Sequence, residues 1–555
     1  MKKFKKFACA ASACALLAAS SLTLFGCGGT TDVITLRICN WEEYIDLGDW
    51  GDDELIDIEN NFAENPEDGV FGENSMVDDF VEWFNSNHDY QVEVEYSTFG
   101  TNEDLYNRLS LGDKYDLVCP SDYMIMKLLD EGQIQPFSEE FFDTDKEQNY
   151  YVNNVSPYIT GIFDQYEWNG GTWNDYAACY MWGTTGLVYN PEKIASPEDV
   201  ETWNILRNQD YNKQVTIKDN VRDAYFVTLG MINRDELLSL GTTSSDAARR
   251  SDILNDTASE TISAAEDVLK DIKENVYSFE TDSGKADMVT GKVIANYQWS
   301  GDAVYIMDEA EGDELNPTEL WYSVPDECTN LWFDGWVMLK NGIEGNAQRQ
   351  EAAEAFVNFL SRPDNAVRNM YYIGYTSSIA SDLVYDYMDW TYGFVFDPSD
   401  EEYFDAELTD VYEYDLSYFF GEGYAPLYVD ASTFELDYDN LTPSVQTLGE
   451  EYGNDIEYNV YSGADIDRGR QLFAQYPPSN VIDRSVVMLD FGDKLSEINQ
   501  MWINVRCLDL IDIDPVTVGI VAAVIGVIVI AILLYVFRYR LFIKHKPKKG
   551  YTLAQ

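Results

Sequence analysis

Residues 33–44 read Val-Ile-Thr-Leu-Arg-Ile-Cys-Asn-Trp-Glu-Glu-Tyr, and this stretch decides how the chain is interpreted. Apolar and polar residues alternate through most of it, which predicts a half-buried β-strand. The strand runs into Trp41, Glu43 and Tyr44, so aromatic and acidic side chains meet at its end. Such a cluster is suited to holding an organic cation. The alternative is that Trp41 and Tyr44 only close the first layer of the core.

The same combination of an aromatic ring and a nearby carboxylate recurs three times downstream. It is found in Tyr-Asp-Leu-Val-Cys-Pro-Ser-Asp-Tyr at residues 115–123, Trp-Ser-Gly-Asp at residues 299–302 and Trp-Phe-Asp at residues 332–334. This recurrence favours a ligand site over a set of unrelated core aromatics.

The first part of the chain predicts a parallel α/β sheet. Residues 91–96 alternate cleanly, and Thr101 with Asp104 forms a capping-box pattern that begins a helix. Residues 115–119 then read as a buried strand. Strand, helix and strand at this spacing indicate a parallel arrangement, in which ligands bind beyond the carboxyl ends of the strands. Those ends carry Trp41, Ser121 and Tyr123.

The remainder of the chain is long enough for a second lobe. About 480 residues follow the leader, more than one ordinary core contains. Further strands are predicted to end at Trp299 and Trp332, and a helix at residues 350–360 is stopped by Pro363. Residues 384–475 are rich in Tyr and Asp and have no readable periodicity, so we treat them as an elaboration of unknown fold.

The N-terminus has the pattern of a bacterial lipoprotein leader. Lysines precede an Ala- and Leu-rich run, and residues 24–27 read Leu-Phe-Gly-Cys. This predicts a signal peptide over residues 1–26 and lipidation of Cys27. A plain signal peptide with a coincidental cysteine is the alternative.

Near the C-terminus, residues 516–537 form a run of 22 residues without a charge. This length predicts a transmembrane helix. Six Lys or Arg residues follow it, so residues 538–555 are predicted to form a basic cytoplasmic tail. The predicted localisation is the cell membrane, with the bulk of the chain extracellular or periplasmic.

Composition excludes several functions. The chain has 99 Asp+Glu against 36 Lys+Arg and a formal net charge of −63, which disfavours nucleic acid as a partner. The chain has two histidines, and only His88 lies outside the basic tail. Histidine-based catalysis and histidine metal clusters are therefore disfavoured, and we expect no catalytic residues, no metal site and no cofactor. The cysteines that follow Cys27 show no paired spacing and read as buried apolar residues.

Seven short motifs, in this order, resemble the spermidine/putrescine-binding proteins of bacterial polyamine ABC transporters. They lie at residues 40–44, 115–123, 182–186, 299–302, 332–334, 359–364 and 373–375. The resemblance implies an α/β, two-lobed fold of the periplasmic-binding-protein type II class. By this resemblance, lobe I comprises residues 33–182 and 334–383, and lobe II comprises residues 183–333 and 384–512.

The resemblance also implies a site in the cleft between the lobes. The members of the family enclose the methylenes of a linear polyamine with aromatic rings and pair its ammonium groups with carboxylates. Carried over by position, the aromatic box is Trp41, Tyr44, Trp299, Trp332 and Tyr375. Hydroxyls come from Ser121 and Tyr123, and the ammonium groups pair with Asp223, Asp302 and Asp334. Glu43 is expected at the far end of the ligand, and Asn220 stands where the family often has an acid.

The sequence therefore predicts a lipoprotein that captures a polyamine and delivers it to the permease subunits and ATPase of an ABC transporter. A carbohydrate- or peptide-binding lipoprotein is one alternative, because aromatic boxes also suit sugars. A surface hydrolase using Asp302 and Asp334 is another, although no nucleophile motif supports it. A membrane-anchored polyamine sensor is the third.

Overall fold

The computed structural model describes residues 33–48, 50, 74–281, 283–313, 316–394, 409–448 and 456–507. The strands are β1 Val33–Trp41, β2 Gln91–Phe99, β3 Leu117–Val118, β4 Ile134–Gln135, β5 Glu167–Trp168, β6 Gly171–Thr172, β7 Ala177–Tyr189, β8 Val215–Lys218, β9 Ser278–Glu280, β10 Ala295–Trp299, β11 Trp321–Ser323, β12 Thr329–Leu339, β13 Thr376–Ser377, β14 Thr409–Tyr414, β15 Leu427–Asp430, β16 Ser444–Leu448, β17 Ile456–Tyr461, β18 Arg468–Gly469 and β19 Ser485–Val486.

The helices are α1 Met76–Asn87, α2 Asn102–Leu111, α3 Asp122–Asp130, α4 Tyr150–Asn154, α5 Pro157–Phe163, α6 Val221–Ile232, α7 Arg234–Leu237, α8 Ser244–Leu254, α9 Ser259–Asn275, α10 Ser283–Val289, α11 Ser300–Gly312, α12 Lys340–Ile343, α13 Ala347–Leu360, α14 Pro363–Ile373, α15 Asp382–Tyr392, α16 Ser417–Phe420, α17 Gln471–Gln475, α18 Ser479–Ile482 and α19 Leu495–Cys507.

The predicted strand–helix–strand unit at the start of the chain is confirmed. β1 pairs in parallel with β2 along its whole length and with β3 at Ile38 and Cys39. Helix α2 connects β2 to β3, and it begins where the side chain of Thr101 accepts a hydrogen bond from the backbone N–H of Asp104. The carboxyl ends of β1 and β3 therefore lie side by side, which places the residues after them at one edge of the sheet.

Two long strands extend this sheet. Its order is β2-β1-β3-β12-β7-β10-β8-β9, and β7 and β12 are buried at every position. β12 pairs with β3 near its C-terminus and with β7 over most of its length, while β7 continues to pair with β10. The register between β12 and β7 shifts between Asp334 and Gly335. Such an irregularity re-aims a side chain. The lobe boundaries near Trp182 and Asp334 fall on these strands and stay a prediction.

The stretch at residues 384–475 contains a second sheet. Its four strands run in the order β15-β14-β17-β16. β14 pairs in parallel with β17, although 41 residues separate their ends. Tyr414 and Phe434 stack with 5.1 Å between ring centroids and join this part to the main core. The elaboration is therefore a folded layer.

The chain divides into two compact units, residues 1–498 and residues 499–555. The first unit contains both sheets and the site described below. Cys39, Cys119, Cys179 and Cys328 are buried in it as free thiols, as the absence of paired spacing predicts. In the second unit the structure describes residues 499–507, which form the C-terminal part of α19.

The fold class predicted from sequence needs one correction. Within the described ranges, no helix is long and apolar enough to cross a membrane. The predicted transmembrane helix at residues 516–537 and the tail at residues 538–555 lie outside the described residues, as do the signal peptide and Cys27. The prediction rested on hydropathy alone. The α/β assignment is kept, while the transmembrane helix and the membrane localisation with a cytoplasmic C-terminus, which depended on it, are withdrawn.

Candidate ligand-binding site

The carboxylate of Asp334 is held by two hydroxyl groups from the edge of the parallel sheet. Ser121 Oγ donates to Asp334 Oδ1 at 2.6 Å, and Tyr44 Oη donates to Asp334 Oδ2 at 2.8 Å. Ser121 follows β3, Tyr44 follows β1, and Asp334 lies at the register shift of β12. We call these three residues the Asp334 subsite. The sequence motifs placed all three in the site, and the structure brings them together.

Neighbouring side chains fix the donors of this subsite. Asn102 Nδ2 lies 3.0 Å from Ser121 Oγ and 3.0 Å from Tyr123 Oη. Asp122, the first residue of α3, accepts hydrogen bonds from the backbone N–H groups of Tyr123 and Phe333. Burial raises the pKa of Asp122 to about 8. This carboxyl ties α3 to β12 and is not exposed to a ligand.

In the part of the chain that the structure describes, Asp334 has no ion-paired cation. Its side chain is 7% exposed, and among the described residues no Lys, Arg or His forms an ion pair with it. Burial raises the pKa of Asp334 to about 6, although the hydroxyls of Ser121 and Tyr44 oppose this shift. An ionised carboxylate in such a place is poorly compensated. The subsite is therefore suited to receive a cation.

The second carboxylate, Asp302, has cations of its own. It lies in the first turn of α11, where the helix dipole favours an anion. Lys285 Nζ is 3.1 Å from Asp302 Oδ1, and Lys218 Nζ is 3.5 Å from Asp302 Oδ2. Tyr375 Oη donates to Asp302 Oδ1 at 2.9 Å. We call Asp302, Lys218, Lys285 and Tyr375 the Asp302 subsite.

The ionisation of Asp302 follows from these neighbours. Burial alone would raise its pKa, but the ammonium groups of Lys285 and Lys218 outweigh burial, and the pKa of Asp302 is lowered from its usual value. Asp302 is therefore an ionised carboxylate paired with cations, whereas Asp334 is an ionisable carboxyl with two hydroxyl donors and no ion-pair partner among the described residues.

Lys218 places its ammonium group beside Trp299 and Asp302, two residues that the resemblance assigns to the ligand site. It ends β8 and is fully buried, with Nζ 3.6 Å from the centroid of the Trp299 ring. It also donates a hydrogen bond to Gln298 Oε1. The Lys218 ammonium group thus lies over the Trp299 ring, pairs with Asp302 and donates a hydrogen bond to the uncharged Gln298 side chain.

Asp223 lies on the same side of the site. Asn220 caps α6 by accepting from the backbone N–H of Arg222 at 2.8 Å, and Asp223 follows in the first turn. Burial raises the pKa of Asp223 to about 6, against the opposing effects of Lys218 and a hydrogen bond from Trp299. Asp223 therefore lies within the electrostatic reach of Lys218.

Aromatic rings connect the two subsites. Tyr44 meets Tyr375 edge to face with 4.9 Å between ring centroids, and Trp332 meets Tyr375 at 5.9 Å. Two glycines make this packing possible: a Cβ at Gly183 would lie 2.6 Å from the Trp332 ring, and one at Gly301 would overlap Tyr375. The hydroxyls of Tyr44 and Tyr375 thus reach Asp334 and Asp302 from adjoining rings.

Three of the predicted residues lie elsewhere or have other partners. Trp41 packs on Phe99 with 4.6 Å between ring centroids. Glu43 has an exposed side chain and a left-handed backbone, with φ 53°. The ring of Tyr123 is covered by the guanidinium of Arg222 at 3.9 Å. Their roles in binding stay predictions.

The sequence reasoning missed the cations of the site. Lys218 lies in residues 215–223, from which the resemblance implies Asp223 as a site residue but not Lys218. Lys285 precedes Asp302 by 17 positions, and no spacing pattern links the two. The available signal was a lysine that ends an otherwise apolar strand, since a lysine in such a position must find a buried acid.

Comparison with known proteins supports the same reading of the motifs. A family model for bacterial extracellular solute-binding proteins matches residues 79–384. The spermidine/putrescine-binding periplasmic protein of Salmonella typhimurium is 26% identical over 364 residues, which cover 65% of this chain and 82% of that protein. The putrescine-binding periplasmic protein PotF of Escherichia coli is 25% identical over 284 residues, 49% of this chain and 67% of that protein. The resemblance drawn from the motifs is confirmed.

A solved structure shows the fold. A Listeria monocytogenes protein provisionally assigned as a spermidine/putrescine ABC transporter matches with a TM-score of 0.50 at 20% identity, over 85% of this chain and 99% of that one. At this identity the likeness concerns the fold alone. It agrees with the α/β architecture described above.

Proposed function

The chain belongs to the bacterial extracellular solute-binding protein family, and within that family we propose that it captures an aliphatic amine of the polyamine class for an ABC transporter. It is a solute-binding protein and not an enzyme. The relatives named for spermidine and putrescine support amine as the ligand class.

The observation that carries the proposal is the state of Asp334. Its carboxylate is buried, accepts hydrogen bonds from Ser121 and Tyr44, and pairs with no described cation. Removing a charge from water without a partner is costly, and an ammonium group placed there would recover part of that cost. A charge-assisted hydrogen bond would then join ligand and protein.

The rings beside Asp334 suit the apolar part of an amine. The Tyr375 ring packs against both Tyr44 and Trp332, with 4.9 Å and 5.9 Å between the respective ring centroids. Methylenes next to an ammonium group pack on such faces, and the group itself is attracted to the π-system. A sugar would need mixed donors and acceptors here, while the acceptor at this end is a carboxylate already supplied with two donors.

Entry of a ligand requires these side chains to separate. Tyr44, Trp332 and Asp334 are each less than a tenth exposed, so the site is closed in this structure. We propose that the elements carrying β1 and β3 open away from α11, as hinge motions do in binding proteins. Delivery to a permease and its ATPase, and lipidation at Cys27, are parts of the same proposal. The leader pattern at residues 24–27 supports the lipid, and mass spectrometry of the mature N-terminus tests it.

Titration calorimetry tests the ligand class. The purified chain would be titrated with 1,4-diaminobutane, its mono-N-acetyl derivative, spermidine and a neutral disaccharide. We expect an amine to bind with a dissociation constant near or below micromolar, about −8 kcal/mol. Asp334→Asn should weaken that binding by about 2–5 kcal/mol, since the ammonium group loses its counter-charge. Binding of the disaccharide without binding of any amine would refute the proposal.

A further inference from the structure

Lys218 makes every contact that a bound ammonium group would make. Its Nζ lies over the Trp299 ring at 3.6 Å, within 3.5 Å of Asp302, and it donates to Gln298. A ligand ammonium in an aromatic, acidic site uses the same three kinds of partner. The protein has therefore placed a cation of its own in one half of the site.

Lys285 adds a second resident cation at the same carboxylate. Its Nζ lies 3.1 Å from Asp302 Oδ1, and its side chain is 19% exposed, so it approaches from the rim. Two ammonium groups, Lys218 and Lys285, thus face two acids, Asp302 and Asp223. Asp302 already pairs with both lysines, and a further ammonium group placed beside it would be repelled by both.

The two halves of the site therefore differ in what they can accept. Among the described residues, the Asp334 subsite has a carboxylate and two hydroxyls without an ion-paired cation, whereas the carboxylate of the Asp302 subsite already pairs with two ammonium groups. Donors are also in excess in the second half: two ammonium groups are present, and Gln298 Nε2 is buried without an acceptor among the described residues. An uncharged acceptor, such as a carbonyl oxygen, fits this half better than an ammonium group.

Resting on the proposed function, we infer that Lys218 and Lys285 set the specificity: the ligand carries one ammonium group, held by Asp334, and an uncharged hydrogen-bond acceptor at its far end, as a mono-N-acylated diamine does. An extended triamine would bring a second cation against Lys218. The resident lysines therefore select against ligands with more than one ammonium group.

Calorimetry on the full chain tests this selection directly. The parent should bind N-acetyl-1,4-diaminobutane at least tenfold more tightly than spermidine, with unmodified 1,4-diaminobutane between them. 1-Aminobutane, which has the ammonium group but lacks the acceptor, should bind more weakly than the acetylated compound. Lys218→Met should reverse the first order, because it removes the ammonium group that lies over the Trp299 ring and beside Asp302.

Two further variants keep the experiment decisive. Lys285→Met removes a partly exposed lysine from the same carboxylate and should shift the preference in the same direction, so it serves if Lys218→Met does not fold. Lys146→Met is the matched control, since Lys146 is exposed and paired with Glu140 away from the site, and it should leave the ligand order unchanged. Thermal melts establish that each variant is folded.

The outcomes separate the two proposals. Spermidine binding the parent as tightly as the acetylated diamine, or lysine variants that keep the parental order, would overturn the inference and leave amine capture intact. If the parent binds none of the four amines, the proposed function and the inference fail together.

Discussion

The same substitution at the two central aspartates should have opposite effects on the ligand-free protein. Asp334→Asn should stabilise the fold, while Asp302→Asn should destabilise it. Both carboxyls are buried and both accept from a tyrosine hydroxyl, so the difference lies in the cations beside them. The comparison therefore isolates the electrostatic state of each subsite.

The stabilisation expected from Asp334→Asn follows from the pKa of Asp334. Burial raises this pKa from 3.8 to about 6. A shift of roughly two units corresponds to about 3 kcal/mol, at about 1.4 kcal/mol per unit. The unfolded carboxyl ionises at lower pH than the folded one, so ionisation favours the unfolded chain. This destabilisation is absent below about pH 4, grows as the pH rises, and is complete above about pH 6. Asparagine cannot ionise and can still bond both hydroxyls, so Asp334→Asn should gain about 1–3 kcal/mol at pH 7.

Asp302→Asn should instead lower the free energy of unfolding. The substitution leaves Lys218 fully buried and Lys285 mostly buried without the acid they share. Breaking a buried pair by removing one partner typically costs about 3–5 kcal/mol. Because Lys285 is partly exposed and Asp223 remains near Lys218, we expect the lower end of that range.

Urea unfolding of the ligand-free chain at pH 7 and pH 4.5 measures both effects. The gain from Asp334→Asn should be present at pH 7 and smaller at pH 4.5, whereas Asp302→Asn should be destabilising at both. A loss of more than about 1 kcal/mol from Asp334→Asn at pH 7 would show that its hydrogen bonds outweigh its burial, contrary to the reasoning above.

Three further results are expected. Amine affinity should fall about tenfold per pH unit below the pKa of Asp334, about 6, because the protonated carboxyl no longer pairs with an ammonium group; calorimetry from pH 5 to 8 checks this, and Asp334→Asn should flatten the profile. Gly301→Ala should cost about 1–3 kcal/mol in a thermal melt because its Cβ overlaps Tyr375, whereas Gly161→Ala, in α5 with open space around the new methyl, should be neutral or stabilising. Arg368→Met should cost about 3–5 kcal/mol in urea unfolding, since it leaves the buried Asp46 and the mostly buried Asp79 without their shared cation.

Local patterns in the sequence predicted the first half of the fold well. The alternation at residues 91–96 corresponds to β2, and the Thr101–Asp104 pattern begins α2 as expected. These elements are specified by neighbours a few positions away, where periodicity and capping are readable. The motif resemblance also placed Asp334, Tyr44 and Ser121 in one site, and in the structure the two hydroxyls donate to the Asp334 carboxylate.

The second sheet was unreadable because its pairing is non-local. β14 joins β17 across a connection that contains β15 and β16, and the burial of β14 does not alternate. The period-two signal that marks a half-exposed strand is therefore missing from β14. The chain turns after β1 with a left-handed residue at Glu43, whose side chain is exposed, and its role at the far end of the ligand stays a prediction.

The lysines of the site show what motif resemblance leaves out. Asp302 and Asp334 stand in two equally clear motifs, yet Asp302 has resident cations and Asp334 has none among the described residues. The difference comes from Lys218, on a strand 84 positions before Asp302, and from Lys285, on a helix before it. A motif identifies a carboxylate, but burial and long-range pairing decide whether that carboxylate is available to a ligand. A protein with the same two motifs and an apolar residue in place of Lys218 would leave Asp302 with one resident cation instead of two and the Trp299 ring without an ammonium group over it, and we expect it to accept a second ligand ammonium group more readily than this chain does.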